Sequence, residues 1–182
     1  MRKIFLFLLI TIFSSSLFAQ LSLTKMVGKN ANKYRLGYDL FFFYDFPLNS
    51  EGNAKSIRLE LMDLAYFPGK DGNGFTTGSA RGYISIKAGY RNIFSETKTG
   101  FYIEPSLGYC RVVEANADKD ATYGDGIAGA FEAGYNLEVG ERGHEISFGL
   151  KYETDRAGSI HTLNSVGLRF SYSFHLFSRK EE

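Results

Sequence analysis

An eight-stranded antiparallel up-and-down transmembrane β-barrel is the fold class this sequence predicts, and three observations predict it. The segment Val166 to Leu176 alternates strictly. Val166, Leu168, Phe170, Tyr172, Phe174 and Leu176 are large and apolar, while Gly167, Arg169, Ser171, Ser173 and His175 between them are small or polar. A period of two over that length is a strand with one oily face and one wet face, long enough for a tilted bilayer crossing of roughly 9–11 residues. Beyond residue 20 no apolar run approaches the length of a membrane helix, so a membrane crossing has to be made by strands. The composition agrees, with 20 Gly, only 3 Pro and 29 aromatic residues (17 Phe, 12 Tyr), and the mean hydropathy is slightly negative, as expected when lumen residues alternate with lipid-facing ones.

The N-terminus has the layout of a secretory signal peptide: Arg2 and Lys3, an apolar run from Ile4 to Phe13, then Ser14 to Ala19. Cleavage after Ala19 divides the chain into a signal peptide, residues 1–19, and a barrel, residues 20–182. The formal charge of +1 argues against a nucleic-acid partner drawn by bulk electrostatics. Cys110 is the single cysteine, which excludes an intrachain disulfide and a cysteine-based zinc site.

Taken in order, Leu21 and Leu23 hint at a short strand before the turn at Gly28–Asn32. Tyr34 to Phe46 alternates clearly, with Tyr34, Leu36, Tyr38, Leu40, Phe42, Tyr44 and Phe46 on one face and Arg35, Gly37, Asp39, Phe41, Phe43 and Asp45 on the other. After a turn, Ile57, Leu59 and Leu61 oppose Arg58, Glu60 and Met62, and the parity then breaks at Asp63. That slip reads as a β-bulge, because an unbroken strand would put Asp63 into lipid. Residues 68–80 form a long polar loop. Ile84, Ile86, Ala88 and Tyr90 then face away from Ser85, Lys87, Gly89 and Arg91.

Beyond the short turn 95–99, Phe101, Ile103, Pro105, Leu107 and Tyr109 oppose Tyr102, Glu104, Ser106, Gly108 and Cys110. Pro105 cannot donate to a ladder, so a local distortion is expected there. Residues 114–126 make a second long polar loop. Ile127, Phe131, Ala133, Tyr135 and Leu137 then lie opposite Glu132, Gly134, Asn136 and Glu138. Past the turn 140–143, Ile146, Phe148, Leu150 and Tyr152 oppose Glu145, Ser147, Gly149, Lys151 and Glu153. A third polar loop at 154–159 leads to the last strand. Long and short connections alternate, and an even strand number then turns the weak Leu21–Gly28 segment into the first strand. Tyr34, Tyr66, Tyr83, Tyr109, Tyr123 and Tyr152 fall at one set of strand ends and Phe46, Phe94, Phe101, Phe174 and Phe177 at the other, as two interfacial aromatic belts would.

The lumen is expected to hold a charge network of Arg35, Asp39, Arg58, Glu60, Lys87, Arg91, Glu104, Glu132, Lys151 and Arg169, with Glu138, Glu145 and Glu153 on the same face. Such charges in a narrow interior pair with one another. Phe131, Phe148, Leu168, Phe170, Tyr172 and Phe174 are the expected lipid-facing residues.

On this alternation, over residues 20–177, the chain resembles the small eight-stranded outer-membrane barrels of diderm bacteria, the OmpX/OmpA-barrel class. The last strand is similar to the C-terminal signal that the barrel-assembly machinery reads, although Ser178 to Glu182 follow the terminal aromatic Phe177. The resemblance implies a place in the outer membrane, contact with its lipid, passage through the assembly machinery and a monomer.

Chemistry is sparse. His161 and His175 lie about 48 Å apart on one strand at 3.4 Å per residue, and His144 has no companion ligand in the sequence around it. Ser159 and His161 are reminiscent of outer-membrane lipid hydrolases, which place such a pair on the lipid side, whereas His161 has lumen parity. Asp71-Gly72-Asn73-Gly74 opens like a calcium loop, but Phe75 occupies the third ligand position. Asp118, Asp120 and Asp125 are a solvated acidic set. The expected protein is therefore a non-enzymatic outer-membrane barrel without cofactor or metal, structural or binding an unknown surface partner. The alternatives are an outer-membrane lipid-modifying hydrolase and a soluble lipocalin-like carrier, the latter opposed by the charged lumen.

Overall fold

The computed structural model describes residues 18–29, 31–48, 54–72, 78–116, 119–140, 144–158 and 161–173. Eight strands run in chain order: β1 (Phe18–Val27), β2 (Gly37–Pro47), β3 (Lys55–Pro68), β4 (Ala80–Ile93), β5 (Gly100–Asn116), β6 (Lys119–Val139), β7 (His144–Ala157) and β8 (His161–Ser173). Each is antiparallel to the next, and β1 pairs with β8 from Phe18↔Ser173 to Val27↔Asn164, which closes the barrel. Closure leaves no sheet edge with unsatisfied backbone groups, the condition for crossing hydrocarbon. The weak first segment is a full strand. Residues 1–17, most of the expected signal peptide, lie outside the described residues, and β1 begins at Phe18.

One end of the barrel, here the upper rim, carries the β1–β2, β3–β4, β5–β6 and β7–β8 connections. The lower rim carries the others.

Alternation is visible in the burial of almost every strand. On β8, Arg169 is 4% exposed and its neighbour Leu168 is 65% exposed. Large apolar residues on the outside of the folded chain amount to far more than the few scattered ones a soluble surface tolerates; here they form a continuous belt that includes Leu23, Leu40, Ile86, Leu107, Phe131 and Leu150. Cross-strand aromatic pairs occupy its lower part, with Phe101–Tyr135 centroids 4.9 Å apart and Phe148–Phe170 centroids 5.2 Å apart. Above the belt an outward ion pair marks the return of water, Arg111 Nε lying 2.6 Å from Asp125 with both side chains about half exposed.

The expected bulge lies where the sequence places it. The β3–β4 register shifts between Glu60 and Asp63, and the β2–β3 register shifts between Phe42 and Phe43. Leu61 and Met62 thereby stand opposite the single residue Ile86, a one-residue slip that turns Asp63 inward with 0% exposure. Pro105 does not end β5. The β4–β5 ladder runs to Gly89↔Ser106 and resumes at Asn92↔Ile103, passing over the positions opposite the proline.

Two kinds of expectation are corrected. Residues 154–157, expected within a loop, are the end of β7, paired with β8 as far as Ala157↔His161. Residues 114–116 and 119–126, likewise expected within a loop, are strand: β5 and β6 pair up to Asn116↔Lys119. A strand rising beyond the membrane has water on its outer side, so it loses the apolar half of the alternation by which a strand is recognised. Gly126 serves this extension, because a Cβ there would lie 1.8 Å from the Arg156 carbonyl oxygen. The second correction concerns Tyr34 and Tyr83, expected in the outer aromatic belt. Both are interior, 4% and 1% exposed. Tyr83 has inward parity on β4, and Tyr34 lies off the strand, bridged to Gly69 after a 3-10 turn at Ala31–Lys33.

Candidate functional site

The interior has two layers. The upper one is apolar, built from Met26, Tyr34, Ala65, Phe67, Tyr83, Cys110, Val112, Ala128, Ala157 and Leu163. It plugs the barrel beneath the upper rim. Below it the side chains are ionic, as an eight-stranded interior only wide enough for side chains allows when every charge finds a partner.

Asp63 is the centre of the ionic layer. Its Oδ2 accepts hydrogen bonds from Lys87 Nζ at 2.7 Å, Lys151 Nζ at 2.6 Å and Arg169 Nη2 at 3.2 Å. The three cations come from β4, β7 and β8, and the bulge in β3 is what aims the carboxylate at them. Glu153 accepts from Lys87 at 2.6 Å and from the Tyr83 hydroxyl at 3.0 Å, and is also paired with Lys151. Lys151 lies 3.5 Å from Asp39 as well. Glu60 accepts from Arg169 at 2.5 Å and stands 3.1 Å from Lys87.

Lower down, Glu132 takes the Tyr102 hydroxyl at 2.5 Å and Arg169 at 2.9 Å. Arg58 makes a two-point contact with Asp45, at 2.8 and 2.6 Å, and lies 3.2 Å from Glu104. Arg91 donates to Asn136 at 3.1 Å and to Ser147 at 2.9 Å, with Glu104 at 3.5 Å. Three guanidinium groups also stack on inward aromatic rings: Arg58 on Phe43 at 3.5 Å, Arg91 on Tyr102 at 3.7 Å and Arg169 on Phe41 at 3.6 Å. A desolvated cation over a ring face is worth up to about 2 kcal/mol or more. The arrangement gives each arginine a carboxylate at its edge and a ring at its face, which leaves little freedom for charge movement.

Asp39, Arg58, Glu60, Lys87, Arg91, Glu104, Glu132, Lys151 and Arg169 are all buried in this network, together with Glu153. Arg35 departs from the expectation. β2 begins only at Gly37, and Arg35 is exposed on the upper rim, donating from Nη2 to the Gly72 carbonyl at 2.9 Å. Outside a ladder, strand parity no longer dictates where a side chain points. Glu138 is exposed and Glu145 half-buried at the lower rim, where Glu145 pairs with Lys98 at 2.8 Å. Sequence reasoning left Asp63, Tyr83 and Tyr102 out of the network; inward parity beside a neighbouring strand's cations was the available signal.

Of the expected lipid-facing residues, Phe131, Phe148, Leu168 and Phe170 are exposed on the outer wall. Tyr172 is half-exposed, with His144 6.1 Å away, ring to ring. Phe174 lies outside the described residues, as does Ser159. Among the described residues no group of histidine, cysteine and carboxylates could hold a metal ion.

At the upper rim, Asp71 organises the described base of the β3–β4 connection, accepting from the Ser79 amide and hydroxyl, each at 2.9 Å. These two donors hold its carboxyl below the usual carboxylate range. A cleft of about 430 Å³ opens at the same rim, lined by residues that include Lys29, Lys33, Tyr34, Arg81 and Glu114.

No protein-family model matches the chain, and no curated protein does. Solved structures do. The crystal structure of Neisserial surface protein A is similar with a TM-score of 0.65, at 12% identity over 88% of this chain and 96% of that one. Ail, the attachment invasion locus protein of Yersinia pestis, in complex with the heparin analogue sucrose octasulfate, is similar with a TM-score of 0.51, at 16% identity over 87% of this chain and 96% of that one. The fold is that of the small eight-stranded outer-membrane β-barrels.

Proposed function

We propose that this chain is an integral outer-membrane protein of a diderm bacterium, without enzymatic activity, in which a sealed barrel holds a set of surface connections in place. The observation that carries the reading is the contrast between wall and interior. The wall is apolar and aromatic, the interior is filled by ion pairs centred on Asp63, and an apolar layer closes the upper end. The wall calls for hydrocarbon around it. A filled interior offers no passage for a solute and no apolar cavity for the cargo of a soluble carrier.

The task of such a protein then lies at its rims. The upper rim is taken as the outer surface, since it bears the longest connection between strands, residues 69–79, and the β5–β6 extension. A structural or adhesive role at the cell surface fits the resemblance to Neisserial surface protein A and to Ail. Lipid of the outer membrane surrounds the belt, the assembly machinery inserts the barrel through its last strand, and the barrel works as a monomer.

Fractionation of expressing cells, followed by gels run with and without heating, tests this reading. The protein is expected in the outer-membrane fraction, with a mobility in detergent that changes on boiling as the barrel unfolds. Recovery in the soluble fraction, or a mobility indifferent to boiling, would contradict it.

A further inference from the structure

We propose that the cleft at the upper rim is a binding site for a phosphate monoester carried on a sugar or a lipid headgroup. The inference rests on the upper rim being the displayed end. It starts from three cations delivered by different parts of the chain. Lys29 follows β1, Lys33 ends the 3-10 turn, and Arg81 stands on β4, and all three line the cleft with Met26, Tyr34 and Glu114. One carboxylate against three cations leaves two positive charges, which matches a phosphate monoester of about −1.5 to −2 at neutral pH.

Arg81 carries the argument furthest. It is 7% exposed, and its buried Nε has no hydrogen-bond partner among the described residues. Glu114 Oε2 lies 3.7 Å from that nitrogen, beyond hydrogen-bonding distance. A buried guanidinium left without full pairing is costly, and a tetrahedral oxoanion in the cleft is the partner that its planar set of donors suits. Below it, Arg58 is held by Asp45 at 2.8 Å from Nε and 2.6 Å from Nη2, and Arg169, whose Nε is likewise without a partner among the described residues, has Glu60 and Glu132 on Nη1 at 2.5 and 2.9 Å.

The wall of the cleft is already ordered. The Tyr34 amide donates to Ala31 O at 3.2 Å, Lys70 N donates to Lys33 O at 2.9 Å, and Lys25 Nζ donates to Tyr34 O at 2.7 Å. Both lysines are exposed, and the Lys33 carbonyl is held by Lys70 N, so an anion meeting Lys33 has mainly its side chain to order. The volume falls within the roughly 300–1,000 Å³ of small-molecule sites. Met26 and Tyr34, both buried in the apolar layer, close the inner side of the cleft.

Calorimetric titration of the full chain refolded in detergent, with glucose 1-phosphate against glucose, tests the proposal. The phosphate ester is expected to bind and glucose not to. Affinity should rise from pH 5 to pH 7 as the ester loses its second proton, whose pKa is about 6. Lys33→Gln and Arg81→Gln should each weaken binding at least tenfold, and Lys98→Gln at the opposite rim should leave it unchanged. Lys33 is exposed, so that variant keeps the test decisive if Arg81→Gln disturbs folding. Equal binding of glucose, or wild-type affinity in Lys33→Gln and Arg81→Gln alike, would overturn the proposal. Repeating the titration in phosphatidylcholine nanodiscs with and without phosphatidic acid separates the two sources: competition by phosphatidic acid identifies a lipid headgroup as the occupant, and its absence identifies a soluble sugar phosphate. A purified barrel reports on the cleft whatever its cellular address, so failure here leaves the membrane placement standing and failed fractionation leaves the titration standing.

Discussion

Lys151 on β7 places its ammonium 2.6 Å from the carboxylate of Asp63 on β3, across the inside of the barrel and 88 residues away in sequence. Both side chains are almost wholly buried, at 2% and 0% exposure. The contact exists because a bulge turns Asp63 inward, and it ties opposite walls together. Its removal leaves Lys87, Lys151 and Arg169 short of a shared counter-charge.

Asp63→Asn is therefore expected to destabilise the barrel by about 3–5 kcal/mol, the usual cost of an uncompensated buried charge. Urea unfolding in lipid vesicles measures it. A second change, Lys151→Met, made in the Asp63→Asn background should recover part of the loss, because it removes one of the stranded cations. Asp45→Asn should cost less than Asp63→Asn, since the Asp45 side chain is 31% exposed and water can take up part of the loss.

The outer wall predicts a dependence on depth. Leu168 is 65% exposed within the belt, and Tyr123 is 63% exposed on the part of β6 above the Arg111–Asp125 pair. Leu168→Arg should cost roughly 2–4 kcal/mol of folding free energy in vesicles, and Tyr123→Arg roughly 0–1 kcal/mol. Equal tolerance of both would mean that the wall has no lipid side.

Much of this was legible in the sequence because lipid is an unforgiving solvent. A charge on the wrong face costs enough to fix parity, so the alternation around Arg169, Lys151 and Glu132 reads directly as inside and outside, and the break at Asp63 reads as a bulge. Legibility fails where lipid ends. Arg35 sits beyond the ladder, where its amide bond to Pro68 O and its side-chain bond to Gly72 O set its direction, and residues 114–116 and 119–126 pair as strand in water with no apolar face to reveal them. Tyr34 and Tyr83 show a further limit. Level along the barrel assigned them to a belt, but the upper interior is apolar enough to bury aromatic rings. The cleft was invisible for the same reason, since Lys29, Lys33 and Arg81 meet only through the 3-10 turn and its bridge to Gly69.

The Asp71–Ser79 pair predicts a pH effect at the upper rim. The folded carboxyl titrates below the unfolded one, so its contribution is complete above the ordinary carboxylate range of about 4 and is lost as pH falls through the lowered folded value. At neutral pH, Asp71→Asn should speed protease cleavage between residues 72 and 79 several-fold while the strands and lower turns stay uncut. In the wild-type protein, an acid-stable protease should find that connection opened only in strong acid. Unchanged cleavage in Asp71→Asn would mean that the two Ser79 bonds do not hold the connection.

The central claim is that the barrel is sealed, ionic below and apolar above, and passes nothing. Planar-bilayer recording of the purified, refolded protein tests it most directly. A quiet baseline with no stable conductance step is expected of the wild-type protein, whereas steady, porin-like steps of uniform size would show that the barrel is open.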